Sequence, residues 1–168
     1  MNLTNAINER FSCTKYLARE ISNECLNKIL RAGIRAPNAG NLQSFRFVVV
    51  NDEKIKEKIT SACLDQRWMM QAPIFIVVCS DIKTLKEYYP ARHKIYAVQD
   101  TSLAAQNMML AAFSLNIKSC FIGSFDEKSM KRALNLKDNL EPYCVITFGY
   151  SKESKITRRK SLDIFIIK

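Results

Sequence analysis

Residues 35–50 combine small residues with side-chain amides, a composition that lets a polar, planar ligand lie close against the main chain. Pro37 ends the preceding helix, because its ring and its missing N–H are incompatible with a helix interior. Two amide side chains follow at the entrance to an apolar strand, and each can both donate and accept hydrogen bonds. A simple connection between helix and strand is the alternative interpretation. The small and amide residues of this loop are Pro37, Asn38, Ala39, Gly40, Asn41 and Gln43.

A second group with possible chemistry lies near the N-terminus, where Arg10 and Ser12 are two residues apart. In an extended chain this spacing places the guanidinium and the hydroxyl on one face. The pair suits a phosphate group or a ribityl chain, because arginine presents several N–H donors in a fixed planar arrangement. A surface salt bridge and a helix cap are the alternative roles for these two side chains.

The cysteines and the histidine do not form a pattern of metal ligands or of a redox pair. The chain has six cysteines, no two of them in a C-x-x-C arrangement, and His93 is its single histidine. Most of the cysteines lie in apolar segments, where they behave as small buried hydrophobic residues. The sequence therefore predicts no metal site and no disulfide framework.

The chain of 168 residues has the composition of one ordinary globular domain, with 48% apolar and 25% charged residues. Its net charge of +10 makes a nucleic acid or an anionic membrane the first partner to consider. The lysines are spread along most segments without a known nucleic-acid motif, so nucleic-acid binding stays an alternative supported by charge alone. The N-terminus lacks the apolar core of a signal peptide, and the longest apolar run, residues 72–79, is too short to span a bilayer. We therefore expect a cytoplasmic protein with neither nucleic acid nor membrane as its partner.

Hydrophobic periodicity predicts the elements that must position these groups. Helices are expected over residues 5–11, 22–36, 52–64, 95–115 and 126–136, and strands over residues 45–50, 74–79, 118–122, 143–150 and 162–167. The strand at 74–79 is apolar at every position, which indicates burial on both faces and helices on both sides of the sheet. Gly123 follows the strand at 118–122, where open α/β sheets bind ligands, although an ordinary turn is the alternative.

Three further segments bear on partners and substrates. The longest helix has an apolar core face and a second alanine-bearing face, and the second face suggests packing against a partner chain. The apolar strand at 162–167 must add to a sheet edge, either of its own chain or of a neighbour. Residues 81–94 form either a lid over a pocket or an ordinary short excursion. The core face comprises Ala97, Val98, Thr101, Ala104, Ala105, Met108, Met109 and Ala112.

Four motifs, taken in order, resemble those of the flavin-dependent nitroreductase family. The segment RFSCTKY at residues 10–16 resembles R-R-S-x-R-x-F, and APNAGNLQSFRF at residues 36–47 resembles A-P-S-x-x-N-x-Q-P-W-x-F. The segment SCFIGSF at 119–125 resembles a strand-then-glycine motif, and GY at 149–150 followed by RRKSL at 158–162 resembles G-Y…R-K-P-L. Because these motifs span nearly the whole chain, the sequence is similar to a compact member of this family.

The resemblance implies an α+β fold, a three-layer α/β/α sandwich with a central mixed, mainly antiparallel sheet. It implies one FMN-binding domain over residues 1–168, in which the tail at residues 151–168 packs on the partner. The family is a homodimer with two FMN sites between the protomers and with exchanged C-terminal tails. An unpaired apolar strand at the end of the chain agrees with that arrangement.

The resemblance also assigns candidate cofactor-binding residues. Arg10, Ser12, Arg158 and Arg159 would hold the FMN phosphate, and the main chain at Ile122 and Gly123 would lie near the reactive N5 atom. Pro37, Asn38, Ala39, Asn41 and Gln43 would line the isoalloxazine and ribityl parts. Phe11 and Thr14 are also cofactor-binding candidates, but they depart from the family pattern, since Phe11 replaces a second arginine and Thr14 stands where a cation near the flavin pyrimidine is frequent. Ser44 and Phe45 replace a proline and a tryptophan, which is a mild change.

The activity implied is an FMN-dependent NAD(P)H oxidoreductase that works in two half-reactions at one flavin face. NADH or NADPH gives a hydride to N5, and an electron-poor small molecule, such as a nitroaromatic, a quinone or a flavin, then takes the electrons. The cofactor carries this chemistry, so we expect no catalytic acid, base or nucleophile among the side chains. Residues 81–94 are shorter than the substrate-covering insertion usual in the family, which leaves open a flavin-binding protein without NAD(P)H turnover.

Overall fold

The computed structural model describes residues 2–167, so Met1 and Lys168, the end residues of the expected domain and tail, lie outside the described part. The strands are β1 (Phe45–Val50), β2 (Ile74–Asp81), β3 (Lys118–Ile122) and β4 (Leu140–Gly149). The helices are α1 (Leu3–Glu9), α2 (Asn23–Ile34), α3 (Glu53–Ala62), α4 (Ile82–Tyr88), α5 (His93–Ser114) and α6 (Glu127–Leu134).

Short polar side chains start most of these helices at the expected positions. Ser22, Asp52 and Asp126 accept hydrogen bonds from backbone N–H groups in the first turns of α2, α3 and α6. Such N-caps satisfy donors that have no partner inside the helix. Asp81 caps α4 in the same way. Part of residues 81–94 is therefore helical, and Leu85 is fully buried beneath it.

The sheet has the strand order β1-β2-β4-β3, and every pair of neighbouring strands is antiparallel. The mixed character that was expected is limited to one isolated parallel bridge between Ser12 and Ser119 on β3. β1 and β3 are thus the two edges. Neighbouring strands lie about 4.8 Å apart, so these edges are separated by about 14 Å.

Helices cover both faces of the sheet. Side chains alternate along β2, so that Phe75 and Val77 belong to one core cluster while Ile76 and Val78 belong to another. The first cluster includes Ile59, Ala62 and Met130 of α3 and α6, and the second includes Ile29, Ala105 and Met108 of α2 and α5. This arrangement confirms the expected three-layer α/β/α sandwich and the α+β class.

One face of α5 remains apolar and exposed. The alanines at 97, 104, 105 and 112 of the predicted core face are fully buried within their own chain. Ile95, Val98 and Leu103 are instead about half exposed, and the placement of Val98 on the core face is wrong. Val98 lies one residue, or about 100° of helix rotation, beyond the fully buried Ala97, so it faces away from the sheet. Exposed apolar side chains grouped on one helix are typical of an interaction surface.

The predicted strand at residues 162–167 is wrong for the described part of the tail. Leu162–Phe165 forms a turn of 3₁₀ helix, and residues 150–161 form no regular element. A strand needs a neighbouring edge to satisfy its backbone hydrogen bonds, and the tail does not pair with β1 or β3 of its own chain. Its apolar side chains Leu162, Ile164, Phe165, Ile166 and Ile167 are all exposed.

Within residues 2–167, none of the helices combines the length and the apolar character that crossing a membrane requires.

Candidate functional site

The N-terminal pair lies on the β3 edge of the sheet. Ser12 bridges Ser119, and the N–H of Cys13 donates to the Ser119 carbonyl at 3.0 Å. Burial raises the pKa of the neighbouring Cys120 thiol, and the Ser12 hydroxyl and the Arg10 guanidinium act against that rise. Both groups therefore act electrostatically on the same buried thiol, which places the predicted cation and hydroxyl at the same edge of the sheet.

The same strand leads from this pair to Ile122 and Gly123. Gly123 lies four residues beyond Ser119, which is about 13 Å along an extended strand. Ile122 is buried and Gly123 is exposed, so the backbone at the end of β3 is accessible. The hydroxyl of Ser119 is buried without a hydrogen-bond partner among residues 2–167. The β3 edge thus offers an elongated site with a cation at one end and open backbone at the other.

Phe11 and Thr14, which depart from the family pattern in the N-terminal motif, have different surroundings. Phe11 is buried in the first core cluster, 5% exposed, which leaves its ring out of reach of a ligand. The Lys118 ammonium lies 5.9 Å from the centre of that ring and 4.1 Å from the ring of Phe113. Thr14 is half-buried beside the first residues of the tail. Phe11 is therefore part of the core, whereas Thr14 remains partly accessible at the β3 edge.

The first residues of the tail contact the N-terminal segment. The Ser151 hydroxyl donates to the carbonyl of Lys15 at 2.6 Å, and the Cys13 thiol donates to the Glu153 carboxylate at 3.5 Å. Arg158 follows Glu153 by five residues, so it can lie at most about 18 Å away. Both Arg158 and Arg159 are exposed, and no ion pair within residues 2–167 includes either of them. The structure does not bring them to Arg10, but the short tether keeps them within reach of it.

The loop that precedes β1 is folded by its own amide groups. The Asn38 side-chain oxygen accepts the N–H of Gln43 at 2.8 Å, and the Asn38 amide donates to the Ala36 carbonyl at 3.2 Å. Gly40, Asn41 and Gln43 adopt left-handed conformations, with φ near +55°. Glycine and asparagine tolerate that region better than most residues, which explains why this composition makes so tight a turn. Asn38 therefore shapes the loop, while Asn41 and Gln43 are exposed.

An open groove of about 710 Å³ lies beside this loop. Pro37, Ala39 and Gly40 form one wall, and the exposed face of α5 forms another. Tyr89 and Tyr96 also line the groove, with their rings edge to face at 4.9 Å between centroids. Residues 81–94, expected to be a lid or an ordinary excursion, thus contribute Tyr89 to the lining of the groove.

These residues form two groups rather than one. Arg10, Ser12 and Gly123 lie on the β3 edge, whereas the loop at residues 37–43 lies beside β1, at the opposite edge of the sheet. The two edges are about 14 Å apart with β2 and β4 between them. A single chain therefore places the two groups on opposite edges of the sheet.

The sequence pattern did not single out Asp100, which contacts the loop from α5. Its carboxylate accepts the N–H of Ala39 at 3.0 Å, and it is 3% exposed. A signal was available, because Asp100 follows Ala97 by three residues and precedes Ala104 by four. Those intervals place an acidic residue on the buried face of the helix, where such residues are rare.

Gly40 offers a direct test of the loop geometry. A Cβ at this position would lie 2.4 Å from the Tyr89 hydroxyl oxygen, and its φ of +55° is unfavourable for other residues. We expect Gly40→Ala to lower the free energy of unfolding by about 1–2 kcal/mol, measured by urea denaturation. Gly123→Ala is the control, since its Cβ would meet only an ordinary contact at 3.4 Å, and its stability should change by less than about 0.5 kcal/mol. Equal stability of the two variants would contradict the described loop.

The sequence also matches a known protein family. The model of the nitroreductase family matches residues 7–68 and 61–150, which together make up most of the chain. The chain belongs to the nitroreductase family. This assignment confirms the family that the four motifs indicated, and with it the expected class of enzyme, an oxidoreductase of the nitroreductase type.

Relatives of known name or structure support the assignment. A protein of Archaeoglobus fulgidus, provisionally named NADH dehydrogenase/NAD(P)H nitroreductase, is 35% identical over 150 residues, covering 87% of this chain and 83% of that protein. The crystal structure of a nitroreductase family protein from Clostridium difficile matches with a TM-score of 0.86 and 27% identity, over 99% of this chain and 98% of that one. A Bacillus subtilis protein named FMN reductase [NAD(P)H] is 30% identical over 81 residues, which is 48% of this chain and 32% of that protein.

Proposed function

We propose that this nitroreductase-family protein is an FMN-dependent NAD(P)H oxidoreductase that acts as a homodimer. It passes electrons from NADH or NADPH to an electron-poor small molecule, of which a nitroaromatic, a quinone or a flavin is the expected class. The observation that carries the proposal is the elongated β3 edge, where Ser12, bridged to Ser119, lies about 13 Å from the accessible backbone at Gly123, and Arg10 lies two residues further from it. The names of the Archaeoglobus and Bacillus relatives support the same activity.

The residues of the β3 edge fit the polar end of FMN. A guanidinium and a hydroxyl on one surface suit a phosphate, which accepts charge-assisted hydrogen bonds. The buried Ser119 hydroxyl, which has no partner within residues 2–167, is a further polar group at this edge. Arg158 and Arg159 supply additional positive charge from the tethered tail. When bound, FMN supplies the hydride chemistry, since it accepts electrons in pairs and passes them on.

The loop before β1 fits the other part of the cofactor. Asn41 and Gln43 are exposed and can hydrogen-bond to a flavin ring or a ribityl chain. Pro37, Asn38 and Ala39 provide a wall without bulky side chains. This loop lies on the edge of the sheet opposite to Arg10 and Ser12. It is therefore placed to contact FMN that is bound at the β3 edge of a second copy. Each of the two sites in the dimer then contains both groups.

Two exposed apolar surfaces favour such a dimer. The face of α5 with Ile95, Val98 and Leu103 borders the groove beside the loop, so a second copy that covers it also closes the site. The apolar end of the tail, residues 162–167, packs on the partner, which buries the side chains that its own chain leaves exposed. Within each site Arg10 and Ser12 hold the phosphate, the main chain at Ile122 and Gly123 borders the reactive edge, and Asn41 and Gln43 orient the ring.

Anaerobic titration of the purified protein tests this function. The protein should be yellow, with a flavin spectrum that bleaches on addition of NADH or NADPH and recovers when a quinone is added. A yellow protein whose spectrum neither nucleotide bleaches would indicate a flavin-binding protein without turnover. A colourless protein that binds duplex DNA with a steep salt dependence would indicate the nucleic-acid alternative that its charge suggested.

A further inference from the structure

Asp100 is a buried carboxylate whose partners all lie on one loop. One oxygen accepts the N–H of Ala39 at 3.0 Å, and the other accepts the hydroxyl of Ser44 at 3.5 Å. No ion pair among residues 2–167 includes Asp100, although the chain carries a net charge of +10. Removing a carboxylate from water is costly unless hydrogen bonds replace the lost hydration. The burial also raises the pKa of Asp100, against the effect of the Ala39 and Ser44 donors.

The two contacts of Asp100 bracket the strained part of the loop. Ala39 precedes the left-handed residues Gly40, Asn41 and Gln43, and Ser44 follows them. Non-glycine residues in this conformation cost free energy, so they persist only where their surroundings hold them. A carboxylate suits this task because it provides two acceptor oxygens at once for two donors that lie five residues apart.

The far end of the loop is tied to the sheet through the same group. The Ser80 hydroxyl on β2 donates to the Ser44 hydroxyl oxygen at 3.2 Å, and the N–H of Asp81 donates to the Ser44 carbonyl at 2.8 Å. Asp100 thus connects three elements: the helix α5, the loop, and the strand β2. Between the two anchors, Asn41 and Gln43 are exposed at the mouth of the proposed site, and the Gln43 amide donates to the Asn41 carbonyl at 3.3 Å.

We propose that Asp100 is a positioning residue, which fixes the loop so that Asn41 and Gln43 meet FMN held by the second copy. This inference rests on the proposed function and adds a residue to it. Asp100 acts through Ala39 and Ser44 and does not itself touch the cofactor. Its replacement should therefore weaken and reorient FMN binding by more than the loss of stability alone would cause.

Titration of apoprotein with FMN, followed by flavin fluorescence and by visible circular dichroism of the bound flavin, tests the inference. Asp100→Ala should raise the Kd for FMN about tenfold and alter the dichroism. Asp100→Asn, which keeps the volume and one acceptor oxygen, should raise it about threefold. Thr101→Val is the matched control, because the buried Thr101 hydroxyl donates only to carbonyls of its own helix, at Ala97 and Val98. Thr101→Val should lower Tm while the Kd stays within about twofold of wild type.

The outcomes separate this inference from the proposed function. If wild-type protein binds FMN and Asp100→Ala binds it equally well with unchanged dichroism, the role of Asp100 is overturned and the function stands. Equal weakening by Thr101→Val would also overturn it, since general stability would then explain the effect. If Asp100→Ala fails to fold, Asp100→Asn is measured in the same assay. An FMN affinity and a flavin dichroism of Asp100→Asn equal to those of wild type would then overturn the role of Asp100. Wild-type protein that binds no FMN would overturn both proposals.

Discussion

Deleting the residues after Lys160 should convert a dimer that retains FMN into a monomer that loses it. The deleted segment contains five exposed apolar side chains that find no burial in their own chain. Burying one such side chain on a partner contributes about 1.5–3 kcal/mol, and a dimer has two tails. Losing one net contact of this size from each tail therefore removes at least about 3 kcal/mol, which weakens dimerisation by more than about a hundredfold. FMN retention should fall with it, because the proposed site takes residues from both copies.

Analytical ultracentrifugation across a range of protein concentrations, with absorbance read at a flavin wavelength, measures both effects together. Phe165→Ser should give an intermediate weakening, since it removes one of the apolar contacts. Leu64→Ser is the matched control, because Leu64 is an equally exposed apolar residue outside the tail and α5. A truncated protein that remains dimeric and fully flavinated at low concentration would show that the tail does not pack on the partner.

The elements that the sequence predicted well are those with local causes. The caps Ser22, Asp52 and Asp126 lie next to the helices they start, and the apolar run of β2 reflects burial on both faces. α4 was missed because its cap Asp81 also ends β2 and its one buried anchor is Leu85. The late strand was wrong for a different reason. An apolar segment signals a need for burial, but not which edge, or which chain, supplies it.

In the candidate site, too, the sequence predicted the features with local causes and missed those that depend on tertiary contacts. Local spacing was enough to pair Arg10 with Ser12 and to recognise the small, amide-rich loop. The separation of these groups on opposite edges follows from the strand order β1-β2-β4-β3, which depends on contacts between distant segments. Asp100 was missed because helical periodicity marks where a side chain points and not which loop it meets. Each of these gaps concerns tertiary contact, which no local pattern encodes.

Replacing Arg10 should weaken the binding of FMN while leaving the binding of riboflavin, which lacks the phosphate, nearly unchanged. The Arg10 guanidinium and the Ser12 hydroxyl both lower the pKa of the Cys120 thiol, against the effect of its burial, at the end of the β3 edge assigned to the phosphate. A hydrogen bond to a charged group contributes about 1.5–3 kcal/mol, so Arg10→Ala should raise the Kd for FMN by about ten- to a hundredfold. The difference between the two ligands isolates the phosphate contact from any general effect on the flavin site.

Fluorescence titration of apoprotein with each ligand measures this difference, and it should be repeated at high salt. Arg10→Lys keeps the charge but loses the planar pair of donors, so it should retain part of the preference for FMN. Arg31→Ala removes an exposed arginine from α2, away from the β3 edge, and should bind both ligands as wild type does. Salt should weaken FMN binding more in wild type than in Arg10→Ala, because screening acts on the charge that the variant has lost. An Arg10→Ala protein that still prefers FMN over riboflavin as strongly as wild type would place the phosphate elsewhere, and with it the orientation of the whole cofactor along β3.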